Sequence, residues 1–371
     1  MRTSQYVTGT RRPATGPTVL VASGGGHLQQ LIALAPRMDL GTELIWAAPR
    51  SGLVDGLLKD RDYFELPYTM PRDWHAAIRL TRVAYHMLKE CGATRVISTG
   101  ASPAPPFFLA GARLGLELHY IESATRSSGP SLSGSLVELI PSTRLYTQFP
   151  VWAKGRWQFS GSILDPFATV DVTPTGPIRK VVVSLGTEGY SFRRAVERLL
   201  QVLPRDAEVI WQTGHTPVDG LGIEGRKSVP NDELRGHIES ADVFVSHAGT
   251  GSALTAFELG KVPVILPREA RHGEHVDDHQ SLTSQELASR GLAVSVPVDE
   301  LTADHLEQSR ARRVIRTNTP SEFALQGGRS RTHVIDLRPG RGVRIARPEV
   351  AGMPEPRVAT SEVRGGPIVL N

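Results

Sequence analysis

The stretch Ser246-His247-Ala248-Gly249-Thr250-Gly251-Ser252 has the residue types of an anion site. It follows a short apolar run, Val243-Phe244-Val245, which reads as a buried strand. It precedes Ala253 to Leu259, which reads as a helix ended by Gly260. A strand, a small-residue turn and a helix start leave bare backbone N–H groups, and the helix dipole points the same way. Glycine lets a phosphate come close to the backbone. A second apolar run, Val262-Pro263-Val264-Ile265-Leu266, reads as the next parallel strand. The polar cluster Glu274 to Gln280 then opens another helix.

Three further strand-end turns carry polar residues. Ser23-Gly24-Gly25-Gly26-His27 follows Thr18 to Ala22, and Ser184-Leu185-Gly186-Thr187 follows Lys180 to Val183. Glu122-Ser123 ends Leu118 to Ile121 and leads into a Ser- and Gly-rich loop, 124–135, that holds Arg126. Ligands of open α/β sheets bind at such carboxyl ends. His27 has an imidazole that titrates near neutral pH and is a candidate general base. The alternatives for it are a helix cap or a phosphate contact. Glu122 is the competing base. Gln29 stands where a GxGxxG fingerprint needs its third glycine, so a dinucleotide turn is not expected.

These residues need elements to position them. A chain of 371 residues is long for one core, and strand-like and helix-like patterns alternate through both halves, which predicts two α/β domains. The boundaries read as a flexible N-terminus at 1–17, an N-terminal domain at 18–164, a Pro-bearing linker at 165–178 and a C-terminal domain at 179–312. A basic tail with little expected order occupies 313–371. Arg72 to Glu90 is a helical segment whose apolar residues pack as core; the other reading lays Trp74, Arg72, Arg79 and Arg82 on a membrane surface.

Composition narrows the function. Apolar content of 40% and charged content of 22% suit a globular protein. Net charge is +4, but Arg310 to Asn371 holds twelve Arg against five acidic residues, which leaves about −3 for the remainder. The folded body is therefore not basic, and no nucleic-acid partner is expected. Cys91 is the single cysteine, so neither an intrachain disulfide nor a CxxC metal site is available. No apolar run is long enough to span a membrane, and the first seventeen residues do not form a secretory signal. His272, His275, Asp277, Asp278 and His279 cluster in sequence, with His275 and His279 at i,i+4 spacing. The glutamate of an HExxH site is missing, and no metal is expected.

In its C-terminal half the chain resembles the catalytic subunit of the eukaryotic transferase that adds the second GlcNAc to dolichyl-diphosphate-GlcNAc. The matching residues are Val183 to Thr187, Ser246 to Ser252, Gly260-Lys261 and Asp278-His279-Gln280. The N-terminal half resembles that enzyme's membrane-recruiting partner, through Ser23 to His27, Ser98 to Gly100, Ile121 to Ser123, Arg126, Ser131 to Gly134 and Gln148 to Pro150. Together the halves are similar to bacterial exopolysaccharide glycosyltransferases and, more distantly, to MurG, over roughly Val19 to Arg310.

The resemblance implies a GT-B fold, two Rossmann-like domains facing a cleft. It implies an inverting, metal-independent transfer from a UDP-sugar, with no cofactor beyond that donor. Ser184, Gly186 and Thr187 would face the diphosphate. His247, Gly249, Thr250, Gly251 and Ser252 would form the second phosphate-side turn, and Gln280 would contact the donor sugar. Gly25, Gly26, Ser123 and Arg126 would lie on the acceptor side, with a polyprenyl-diphosphate-linked sugar as acceptor. The protein would sit peripherally on the cytoplasmic face of the cell membrane. One departure stands out: Thr255 occupies the place of the ribose-binding glutamate, and Glu258 lies only two residues before Gly260, so a ribose contact through Glu258 would need a one-turn helix shift. Two rival classes remain, a UDP-sugar epimerase of the same two-domain fold and a non-catalytic sugar-nucleotide-binding subunit.

Overall fold

The computed structural model describes residues 16–59, 61, 63–68, 73–186, 189–275 and 279–326. Its N-terminal half is built on a seven-stranded parallel sheet. The strands are β1 (Thr18–Val21), β2 (Leu44–Pro49), β3 (Tyr63–Leu66), β4 (Arg95–Ser98), β5 (Glu117–Ile121), β6 (Thr143–Thr147) and β7 (Trp157–Phe159), in the order β3-β2-β1-β4-β5-β6-β7. Helices α1 (Gly26–Leu34), α2 (Gly52–Leu57), α3 (Trp74–Glu90), α4 (Ala104–Leu114) and α5 (Leu132–Glu138) connect them. Val19, Leu20 and Val21 are wholly buried, as are Val96 and Ile97, because helices cover both faces of a parallel sheet.

A short strand, β8 (Phe167–Asp171), leads to the second sheet. That sheet comprises β9 (Lys180–Ser184), β10 (Glu208–Gln212), β11 (Gly225–Arg226), β12 (Val243–His247), β13 (Val264–Leu266) and β14 (Val294–Ser295), in the order β11-β10-β9-β12-β13-β14. It carries α6 (Arg193–Val202), α7 (Asn231–Ser240), α8 (Thr250–Glu258), α9 (His279–Ser289) and α10 (Ala303–Arg310). In each sheet the strand order reverses beside the first strand, between β1 and β4 and between β9 and β12. A crevice opens there for a ligand.

The chain stays regular past the point where its sequence pattern fades. Strand β15 (Arg312–Arg316) pairs antiparallel with β8, from Arg312 opposite Asp171 to Arg316 opposite Phe167. The segment expected to be a bare linker therefore contains half of a two-stranded ribbon. Beyond it, Phe323 N donates to Arg37 O and Gln326 N to Tyr146 Oη, both at 2.8 Å, and Phe323 is fully buried. Order thus extends to residue 326 rather than ending near Arg313. In β15 only Val314 turns inward, so the strand has almost no apolar signature in sequence. The remainder of the basic tail lies outside the described residues.

Helix α3 is amphipathic. Leu80, Ala84, Met87 and Leu88 are buried on the face that packs with α4, whereas Trp74 and Ile78 are each 59% exposed. The core reading of this segment holds for its inner face; the outer face keeps its apolar residues in solvent. Among the described residues, no helix is long and apolar enough to cross a membrane.

Candidate active site

Helix α8 starts at Thr250, three residues earlier than the sequence pattern suggests. Thr250, Gly251 and Ser252 therefore supply the unpaired N–H groups of its first turn. This turn, with Gly186 after β9 and Gln280 on α9, walls a cavity of about 340 Å3. His247, Ala248 and Gly249 line the same cavity, as do Gln212, Thr283 and, from the N-terminal half, Thr125. Residues from both sides of the switch point thus meet around one polar space, with a helix N-terminus suited to a diphosphate.

His247 supports both glycine turns. Its ring is buried at the end of β12, with Nδ1 3.4 Å from the Ser184 carbonyl. A Cβ built on Gly186 would lie 2.7 Å from the ring, and one on Gly249 would lie 2.4 Å from Nε2. Gly186 also has φ +78°, where side chains are strained. The glycines at these two positions are therefore set by the imidazole beneath them. At Gly251, by contrast, a Cβ would meet nothing within 4 Å.

Two expected donor residues stand differently. Ser184 is the last residue of β9; it is buried, and its hydroxyl accepts from Gln212 Nε2 at 2.8 Å instead of facing the cavity. Ser184 stands opposite Gln212 in register, so the two side chains share one face of the sheet. Thr187 lies outside the described residues. Glu258 is exposed at the far end of α8, pairs with Arg235 at 2.9 Å and does not line this cavity. Gln280 is buried, and its Oε1 accepts from the Arg268 backbone N–H at 3.2 Å. That bond directs the amide N–H groups away from Arg268 N and makes Gln280 a donor toward its cavity.

The N-terminal crevice is larger and mostly apolar. A groove of about 740 Å3 runs between α2, α3, α4 and α5, and it includes Gly25, His27, Ser131 and Ser133 among its polar parts. Leu53, Trp74 and Leu132 wall it while each is more than half exposed. Ala101, also on this wall, has φ +68°, a strained value for a residue with a side chain. Gly26 opens α1, and Gly25 precedes it at φ +79°.

His27 stands in this groove with its tautomer fixed. Nδ1 is 2.8 Å from the Thr99 carbonyl, which can only accept, so Nδ1 carries the proton and Nε2 keeps its lone pair. Burial lowers the His27 pKa below 6.5, although the Thr99 carbonyl opposes the shift. The neutral, proton-accepting form thus prevails at neutral pH.

Glu122 is placed otherwise. It is fully buried, and its carboxylate accepts from Ser131 N at 2.8 Å, Ser131 Oγ at 3.1 Å and Ser123 N at 3.1 Å. Burial raises its pKa, against the pull of the Ser131 and Ser123 backbone N–H groups. A carboxylate so enclosed anchors the start of α5 and is not placed to meet an acceptor hydroxyl. The loop expected from 124 to 135 therefore ends in a helix, with Ser131 as its N-cap. Ser123 is likewise buried, bonded to Gln30 Nε2 at 3.0 Å. Arg126 donates to the Gly129 and Pro130 carbonyls of its own loop.

Gln212 and Thr283, which line the cavity, and Gln30 behind it were not legible in sequence. Each sits on a regular element with no motif around it, and only the tertiary fold brings it to the loops. Among the described residues there is no group of three His, Cys, Asp or Glu side chains able to hold a metal. His275 packs its ring against Tyr190, 5.1 Å between centroids, while Asp277 and Asp278 lie outside the described residues.

Residues 180–322 match the Glycosyltransferase family 28 C-terminal domain. The chain has the GT-B fold. It is 23% identical over 335 residues to the UDP-N-acetylglucosamine--N-acetylmuramyl-(pentapeptide) pyrophosphoryl-undecaprenol N-acetylglucosamine transferase of Cupriavidus necator, covering 80% of this chain and 90% of that one. It is 38% identical over 71 residues to the UDP-N-acetylglucosamine transferase subunit ALG13 of Yarrowia lipolytica, covering 19% and 34%. Other curated relatives are spanned over 32% and 50% of their own length. The crystal structure of Acinetobacter baumannii MurG superimposes with a TM-score of 0.50 at 19% identity, over 79% of this chain and 89% of MurG. UDP-GlcNAc 2-epimerase from Methanocaldococcus jannaschii shares the fold as well, with a TM-score of 0.51 at 10% identity over 83% and 96%.

Proposed function

We propose that this protein is a glycosyltransferase that moves a sugar, GlcNAc or a related hexose, from a UDP-sugar to a polyprenyl-diphosphate-linked acceptor, with inversion, in surface-polysaccharide synthesis. The observation that carries the reading is the pairing of two unlike crevices at the switch points of two sheets. One is polar and ends on a helix N-terminus; the other is apolar and holds a neutral histidine. A diphosphate suits the first, and a lipid-linked acceptor suits the second.

In the proposed reaction His27 Nε2 takes the proton of the acceptor hydroxyl as its oxygen attacks the anomeric carbon. The bond from that carbon to the phosphate oxygen breaks, and UDP departs with the electron pair. The bare N–H groups of Thr250 to Ser252 and the dipole of α8 stabilise the charge that grows on the diphosphate. Gln280 orients the donor sugar through its amide N–H groups, and no metal is required. The exposed Trp74, Ile78 and Leu53 around the groove support peripheral contact with the cytoplasmic face of a membrane.

The test is to incubate the full chain with a panel of UDP-sugars, with and without a polyprenyl-diphosphate-linked sugar. The expected result is UDP release that needs both substrates. A changed sugar on UDP with no acceptor present would mark an epimerase, and binding without turnover on any pair would mark a non-catalytic subunit.

A further inference from the structure

We propose that the loop from Ser123 to Ser127 mechanically links the donor cavity to the helix that carries His27, with Gln30 as the positioning residue. The inference rests on the donor assignment above and adds a route between the two crevices.

The loop is pinned to the donor half on both sides of Thr125. Thr250 Oγ1, in the first turn of α8, donates to Ala124 O at 3.1 Å. The hydroxyls of Thr283, on α9, and Ser127 lie 3.1 Å apart. Thr125, between these pins, is exposed and lines the donor cavity. Any donor that fills this cavity therefore meets a residue of the acceptor half.

The same loop is held from behind by Gln30. Its Oε1 accepts from Ala124 N at 2.8 Å and from Gln148 Nε2 at 2.9 Å, and its Nε2 donates to Ser123 Oγ at 3.0 Å. Gln148 in turn donates to Glu122 O and accepts from Ile163 N. Gln30 is 5% exposed and lines neither crevice. A buried amide is costly unless its groups are paired, and an apolar residue would fill this space without that demand. Gln30 also lies three residues after His27 on α1, on the same side of the helix. Ala124 is thus bonded through its carbonyl to the wall of the donor cavity and through its N–H to the helix of the base. A link of this kind gives two sites a coupling free energy, and the coupling acts equally in both directions.

The experiment uses the full chain and UDP as the probe, with affinity read by calorimetry. Gln30→Met is expected to weaken UDP binding about threefold to tenfold, although no atom of Gln30 faces the cavity. Thr250→Val should do the same, and the double variant should bind about as well as the weaker single one, since both break one link. Wild-type affinity in a folded Gln30→Met protein, or losses that multiply in full, would overturn the proposal. A ligand-free measurement keeps it decidable: amide exchange across residues 123–127 should quicken in Thr250→Val and in the milder Ser127→Ala, and quicken at α1 as well. Unchanged exchange at α1 in both variants would also overturn it. Absence of UDP binding by the wild type would sink the donor assignment, and the exchange result would still decide the link.

Discussion

The Glu122 carboxylate holds Ser131 twice, through the backbone N–H at 2.8 Å and the hydroxyl at 3.1 Å. It thereby fixes the N-cap of α5, whose first residues form one wall of the N-terminal groove. A Cβ built on Gly134 would meet Glu122 Oε2, so the first turn of α5 packs closely on the carboxylate. Glu122→Gln places an amide N–H against donors and should cost about 1–3 kcal/mol of stability. Because burial raises the folded pKa of Glu122, its contribution to stability is full below the unfolded value. It is lost as pH rises through the folded value. Denaturation of the variant should therefore show a smaller fall in stability across that window. Equal pH dependence in both proteins would refute the upward shift, and unchanged stability in Glu122→Gln would refute the anchoring role.

Gly249 and Gly251 differ by two positions and should differ sharply in effect. Gly249→Ala drives a methyl group into the His247 ring, which must move and carry the Gly186 turn with it. UDP affinity should fall about tenfold or more. Gly251→Ala meets open space and should leave the fold intact, since its φ lies outside the left-handed region. Melting temperature and UDP titration of the two variants check this; equal behaviour would remove His247 from the support of the turns.

The segment after Arg313 belongs to the fold as far as residue 326. Its removal takes away most of β15 and the buried Phe323, whose ring lies 5.7 Å from that of Tyr146. Phe323→Ala should cost about 3–5 kcal/mol. Truncation after Gln326 should keep stability and turnover, whereas truncation after Arg313 should lose both. Liposome sedimentation of the 326 truncation tests the arginine excess of the tail, at about 1 kcal/mol for each basic residue near an anionic surface. Salt-insensitive binding equal to that of the full chain would assign no attachment to the tail.

The parallel sheets were legible because their strands are continuous apolar runs between glycine turns, as in Val243 to Val245 and Thr18 to Ala22. The glycines of the site were legible for the same reason, though not their cause: nothing in sequence says that His247 lies beneath both Gly186 and Gly249. Glu122 read as a base because it ends a strand, and only tertiary structure encloses it with Ser131. Gln30 is one polar residue within an amphipathic helix; its three bonds run to positions 93 to 118 residues away. β15 was hidden because a charged outer face leaves a two-stranded ribbon with one buried side chain.

His27 offers the most direct test of the chemistry. Its Nδ1–H is committed to Thr99 O, so only Nε2 can take a proton from an acceptor. His27→Ala should lose on the order of a hundredfold in turnover at saturating donor, with UDP affinity kept. The pKa is lowered by burial, so the imidazole is neutral at pH 7. kcat/KM should therefore rise with pH through an apparent value below 6.5 and level off above it. The linked stability has the matching sign: the His27 contribution is present above the unfolded value and is lost as pH falls through the lowered folded one. Gly100, whose Cβ would lie 3.4 Å from His27 Nδ1 and 2.8 Å from Tyr120 Oη, gives a second handle. Gly100→Ala should clash with Tyr120 Oη and strain the backbone at φ +106° beside His27, lowering turnover while UDP binding in the other half persists. Near-normal turnover in His27→Ala, with an acid limb unchanged from the wild type, would assign the proton to another group.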